Sequence, residues 1–97
     1  MKSWGLNGSG QLGDATTTDR HTPVTVAGET GASVQVSGGG FHSLALLNNG
    51  TARAWGLNID GQLGDGTTTM RTVPTGIRTG RIGITSISAD FGHSLIV

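Results

Sequence analysis

Apolar and polar residues alternate in short runs along this chain rather than at helical periods, and the clearest run is HSLALLNNGTARAW at 42–55. Leu44 and Leu46 share one face of an extended segment, while Ser43, Ala45 and Leu47 share the other, because successive strand side chains point to opposite sides. Both faces are largely apolar, which predicts a strand sandwiched between neighbours. Asn49-Gly50 predicts a two-residue type I′ hairpin turn, whose central positions both need φ > 0. PVTVAG and SVQVSGGG predict further short strands, with PTGIR, GITSIS and HSLIV as their counterparts in the second half. Gly at 18 of 97 residues, beside sparse Ala, Leu, Glu and Lys, argues for turns and against helices.

The pattern repeats. WGLNGSGQLGD at 4–14 returns as WGLNIDGQLGD at 55–65, and Trp4 and Trp55, Asn7 and Asn58, Gly10 and Gly61, Asp14 and Asp65, and His42 and His93 each stand 51 residues apart. A constant offset means two copies with no insertion between them, and about four strands per period suits a four-stranded antiparallel propeller blade. TGIRTGRIG, which holds the third strand of the second copy, is more polar and glycine-rich than its counterpart VTVAGETGA. The expected fold class is therefore all-β, with two blades' worth of strands arranged as a first repeat phase 1–46, a connecting hairpin turn 47–51 and a second phase 52–97.

W-G-x-N-x-x-G-Q-L-G, the following D-G-T-T-T, then H-S-L-A-L and the N-G-T turn before the next W-G together resemble the regulator of chromosome condensation repeat. The resemblance covers nearly the whole chain and implies a β-propeller, about seven-bladed in known members. Two positions depart from the pattern: Asp90 stands where the first copy has Gly39, with a turn at φ > 0 expected to survive because Asp tolerates that region, and Ala15 stands where the second has Gly66. The resemblance implies proteins that present loops to protein partners, as in a nucleotide exchange factor for a small nuclear GTPase, domains of ubiquitin ligases and a secreted bacterial β-lactamase inhibitor; the family also includes a plant ultraviolet photoreceptor with clustered tryptophans. The glycine-rich, short-looped repeat is closer to bacterial members, and an engineered origin is an open alternative.

The repeat phase places Met1 opposite Ala52 and Val97 opposite Leu46, so the outermost strands are each expected to lack a hairpin mate. Two blades do not close a ring, and unpaired edges invite pairing. The expectation is head-to-tail self-assembly: Ser94, Leu95, Ile96 and Val97 of one copy pair antiparallel with Lys2, Ser3 and Trp4 of the next. About three or four copies would give a closed ring of six or eight blades. The alternatives are a fragment of a longer propeller and a propeller that binds a different protein.

Chemistry changes this picture little. His42-Ser43 and His93-Ser94 invite a nucleophile and base, but neighbours on a strand point apart, so no one pair can bond internally. Asn58, Asp60 and Asp65 resemble a calcium loop, yet 55–74 contains no Glu to complete it. Asn7, Asn58, Asp14 and Asp65 instead read as turn-closing groups, and Trp4 and Trp55 as packing between blades. Gly38-Gly39-Gly40 precedes a strand rather than the helix of a phosphate loop. Arg20 and Arg71, the cations repeated in phase, read as loop anchors. The two Trp and two Phe lie in or beside the motif, leaving no aromatic platform for a sugar. No catalytic residue, cofactor or metal is assigned, and the reading is a non-enzymatic structural and interaction module. A net charge of zero argues against nucleic acid or an anionic membrane as partner, and the absence of cysteine excludes thiol chemistry. No apolar run approaches a membrane span or a signal peptide, so the compartment is undetermined, with the cytoplasm as default.

Overall fold

The two-faced run at 42–47 becomes the inside of a sheet. The computed structural model describes residues 1–28, 32–77 and 83–96. These form strands β1 (Lys2–Gly5), β2 (Arg20–Thr25), β3 (Ser33–Gly38), β4 (His42–Leu47), β5 (Ala52–Gly56), β6 (Arg71–Gly76), β7 (Ile87–Ala89) and β8 (Ser94–Ile96). A complete four-stranded antiparallel blade, β3-β4-β5-β6, lies between two-stranded sheets β1-β2 and β7-β8. In repeat phase, β1-β2 corresponds to β5-β6, and β7-β8 corresponds to β3-β4.

Strand β4 is buried on both faces because each faces a different sheet. Leu44 and Leu46 join Ala52, Ala54, Leu63, Ile84 and Ile87 in one cluster, against which Ile77, Ala89 and Ile96 pack. Ala45 joins Val26 and Trp55 in another, with Met1 beside them. Burial of such side chains contributes roughly 25 cal/mol per Å² of apolar surface, so the interfaces between sheets carry the stability.

The sheets also join through polar groups. Gln35 Oε1 accepts the Ile87 amide at 3.1 Å, and Ser37 Oγ accepts the Ala89 amide at 3.0 Å. Side chains of β3 thus satisfy donors on the edge of β7, which backbone pairing leaves open. Strands β2 and β6 occupy sheet edges, where Pro23 and Pro74 remove no interior ladder bond.

Three local expectations change. The β4–β5 hairpin has three loop residues rather than two, with the Leu47 amide on the Thr51 carbonyl at 2.8 Å and the Gly50 amide on that of Leu47 at 3.1 Å. Of the loop residues only Gly50 is left-handed, at φ 80°, so the turn is a right-handed one followed by a left-handed glycine. Gly39 is needed for space rather than for a positive φ: a Cβ there would meet the Asp90 carbonyl oxygen at 2.5 Å. Asp90 likewise keeps a negative φ, so the expected left-handed turn at this phase is absent. The GITSIS segment contributes strand only at Ile87–Ala89, and much of TGIRTGRIG, like Val97, lies outside the described residues.

Candidate interaction surface

Each repeat builds its long loop around one buried asparagine. The Asn7 side-chain amide donates to the Thr16 and Thr18 carbonyls at 3.0 Å each and to Asp14 Oδ1 at 3.1 Å, while its Oδ1 accepts the Leu12 amide at 2.9 Å. Asn58 does the same with Thr67 and Thr69 at 3.0 Å each, Asp65 at 3.2 Å and Leu63 at 3.0 Å. An asparagine suits this centre because it offers two donors and an acceptor on a short, neutral side chain. The Gly10 and Gly61 amides close the first turn on the Asn7 and Asn58 carbonyls at 2.9 and 3.0 Å.

The aspartates are occupied by the same loops. Asp14 Oδ1 accepts the Thr16 hydroxyl at 2.6 Å and amide at 3.0 Å, and Oδ2 takes Arg20 Nε at 2.9 Å. Asp65 repeats this with Thr67 at 2.7 and 2.9 Å and Arg71 at 2.8 Å. The Thr16 hydroxyl above all, with Arg20, the Thr16 amide and Asn7, holds Asp14 down to about 2, overcoming the upward push of burial. Burial is the largest influence on Asp65 and pushes it up, but Thr67, Arg71 and Asn58 together hold it well below the usual carboxylate range. These carboxylates are spent on internal donors, and Arg20 and Arg71 are tied to their own loops.

Histidine and serine do meet, but across copies. His42 Nε2 lies 2.9 Å from Ser94 Oγ, and Ser94 Oγ donates to the Gln62 carbonyl at 2.7 Å. The hydroxyl proton is thus directed at Gln62, and Ser94 accepts from the imidazole, the reverse of a nucleophile facing its base. Burial pushes the His42 pKa down, which keeps this ring neutral. His93 is exposed, 3.7 Å from Asp90.

The two tryptophans part company. Trp55 is 3% exposed, and its Nε1–H donates to the Gln11 carbonyl at 2.8 Å. Gly13 lies under the ring, where a Cβ would come within 2.7 Å of Nε1, and Val26 packs beside it. Trp4 is 62% exposed, so the expectation that both indoles pack between blades is corrected for this one. The physical reason is that the segment carrying Gln11, Gly13 and Val26 covers Trp55, and no described segment covers Trp4.

Of the residues expected to pair between chains, Lys2 is exposed and bonds Thr25 Oγ1 at 2.6 Å, and Ser3 Oγ bonds the Leu12 carbonyl at 2.7 Å. Leu95 is 61% exposed, Ile96 packs against the first core cluster, and Val97 is outside the described residues. Gln11, Gln62, Ser43 and Ser94 also link the sheets, and the constant 51-residue offset is the sequence signal that marks them. Asp19 Oδ1 accepts the Asn7 backbone amide at 2.8 Å, a role its sequence position does not suggest. Position 70, its counterpart, holds Met, so no repeat signal marked it.

Comparison with known proteins agrees with this geometry. Residues 3–46 and 49–97 each match the family profile described as Regulator of chromosome condensation (RCC1) repeat. The human E3 ubiquitin-protein ligase HERC2 is 35% identical over 96 residues, covering 96% of this chain and 2% of that protein. The Arabidopsis thaliana Ultraviolet-B receptor UVR8 is 31% identical over 99 residues, covering 100% of this chain and 22% of the receptor. Human WBSCR16 superposes with a TM-score of 0.85 at 28% identity, over 99% of this chain and 26% of that one. Yeast RCC1 (Prp20) bound to Kap60 superposes at 0.78 and 23% identity, over 99% and 25%. The chain spans about a quarter or less of the length of each.

Proposed function

The chain belongs to the Regulator of chromosome condensation (RCC1) repeat family, and on that premise we propose that it is an assembly and protein-interaction module that completes its propeller with further copies of itself. Strand β8 of one copy pairs antiparallel with β1 of the next, and about three or four copies close a ring of six or eight blades. One observation carries this reading. The β7-β8 sheet stands at the phase of β3-β4, and β1-β2 at the phase of β5-β6, so the two short sheets hold between them the four strands of one blade. In β4–β5 Ser43 stands opposite Trp55 and Leu44 opposite Ala54, and the same register carried over by the repeat offset would set Ser94 opposite the next copy's Trp4 and Leu95 opposite its Ser3.

Because the chain has no cysteine, a Ser3→Cys, Leu95→Cys variant tests the pairing directly. Mild oxidation is expected to give covalent species ending at a closed trimer or tetramer. Chains that stay uncrosslinked while folded would contradict the pairing.

A second reading is supported by loops where the copies differ. Ile59 and Phe91, each 70% exposed, and Met70 stand where the first copy has Gly8, Gly40 and Asp19. Exposed apolar groups on loops suit a protein partner. A yeast protein of the same fold, RCC1 (Prp20), has been solved bound to Kap60 and described for its binding to Gsp1p and histones. Replacing Ile59 and Phe91 with Gly is expected to abolish capture of such a partner while leaving the fold intact; unchanged capture would contradict this reading.

A further inference from the structure

We infer that Trp4 is the knob of an inter-copy lock and that Gln62, Gly64 and Ile77 of the preceding copy are its socket. The inference rests on the self-assembly reading and specifies its contact. The occupied version lies within the chain: Trp55 sits on Gly13 beside Val26, its Nε1–H on the Gln11 carbonyl, which also accepts Ser43 Oγ at 2.8 Å. Gln62, Gly64, Ile77 and Ser94 occupy the same four places one repeat later. There the Gln62 carbonyl already accepts Ser94 Oγ at 2.7 Å, leaving its second lone pair for another donor.

This second place is open. A Cβ at Gly64 would meet only Ile77 Cγ2, at 3.3 Å, whereas one at Gly13 would strike the Trp55 ring. Gln62, Leu63, Gly64, Ile77, Ser94 and Ile96 line a cavity of about 250 Å³. Gln62 is buried, and its Nε2 has no hydrogen-bond partner. Among the described residues, one indole thus lacks a cover and one socket with an indole acceptor lacks an indole. Strand register joins them, since pairing β8 with the next copy's β1 sets Trp4 beside Ser94, as Trp55 sits beside Ser43.

A second contact falls into place in the same arrangement. His42 bonds Ser94 one blade onward, so His93, exposed in the single chain, reaches the next copy's Ser43. The interface between copies thus reproduces the interface between sheets inside one copy.

The test uses the full chain labelled with 5-fluorotryptophan, whose two ¹⁹F resonances are assigned with Trp4→Phe. On raising the concentration through assembly, the Trp4 resonance is expected to shift while that of Trp55 stays fixed. Trp4→Ala is expected to weaken association by roughly 100-fold or more, as for a central aromatic anchor. Trp4→Phe, which keeps the ring and loses the donor, is expected to weaken it by roughly tenfold. Assembly with an unmoved Trp4 resonance, or with undiminished affinity in Trp4→Ala, overturns the lock while leaving self-assembly standing. A wild-type chain that stays monomeric at every concentration overturns both. The ¹⁹F readout on the unmutated chain keeps the test decisive if a variant fails to fold.

Discussion

The two copies of the motif share their hydrogen bonds and differ in their cover. Around Asn7 and Asn58 the corresponding distances agree within about 0.1 Å, bond for bond. Yet Trp55 is buried and Trp4 bare. Local geometry in this chain is set within about twenty residues of sequence by caps and turns that each repeat supplies for itself. Burial is set by the adjoining blade, which among the described residues covers Trp55 and not Trp4.

The sharpest break of this comparison is the tryptophan pair. Trp55→Ala is expected to destabilise the fold by about 3–5 kcal/mol through lost packing and a vacated cavity. Trp4→Ala should change the stability of the single chain by less than about 0.5 kcal/mol. Urea titration of the two variants at dilute concentration checks the contrast, and equal losses would contradict it.

Asn58→Ala comes next. It strips partners from the part-buried Thr67 and Thr69 carbonyls and the buried Leu63 amide, at roughly 3 kcal/mol. Asn7→Ala should cost nearly the same in a thermal or urea melt, because the two centres are alike.

The copies do differ at positions 19 and 70, and exchange sharpens that difference. Met70→Asp is expected to gain about 1 kcal/mol by giving the Asn58 amide the acceptor that Asp19 gives Asn7, and Asp19→Met to lose about as much. Ala15 holds φ 68° where Gly66 holds 83°, a strained conformation for a residue with a Cβ. Ala15→Gly should therefore stabilise by about 1 kcal/mol, and Gly66→Ala should do the opposite.

pH acts on the buried histidine and on the two loop carboxylates in turn. The His42 pKa is lowered by burial, so the unfolded chain binds the proton first, and stability declines as pH falls below 6.5. Asp14, held at about 2 against an ordinary 3.8, contributes stability above 3.8 that is lost as pH falls toward 2, and Asp65 acts in the same direction. Melting temperature should fall in two acid steps, the upper one absent in His42→Gln.

Much of the blade was legible because a strand's period is two. Leu44 and Leu46 against Ser43, Ala45 and Leu47 already described two buried faces, and both found cover. The repeat offset likewise marks Asn and Asp as turn-closing groups and Arg as a loop anchor; that Asp14 pairs with Arg20 and Asp65 with Arg71 is visible only in the structure. The hairpin was misread because Asn-Gly was weighed without Asn48, which lengthens the loop by one residue and relieves Asn49 of a positive φ. Trp4 was misread because its sequence surroundings are those of Trp55, and burial is not written in them. The His42–Ser94 bond was hidden for a related reason: its partners are 52 residues apart and meet only where two sheets face each other.

The central claim is that the face between blades inside one chain recurs between chains. The most direct measurement is the mass in solution by multi-angle light scattering across a concentration series. The account predicts one closed species of about three or four times 9.8 kDa that does not grow further with concentration. A cooperatively melting monomer of 9.8 kDa at every concentration would contradict it.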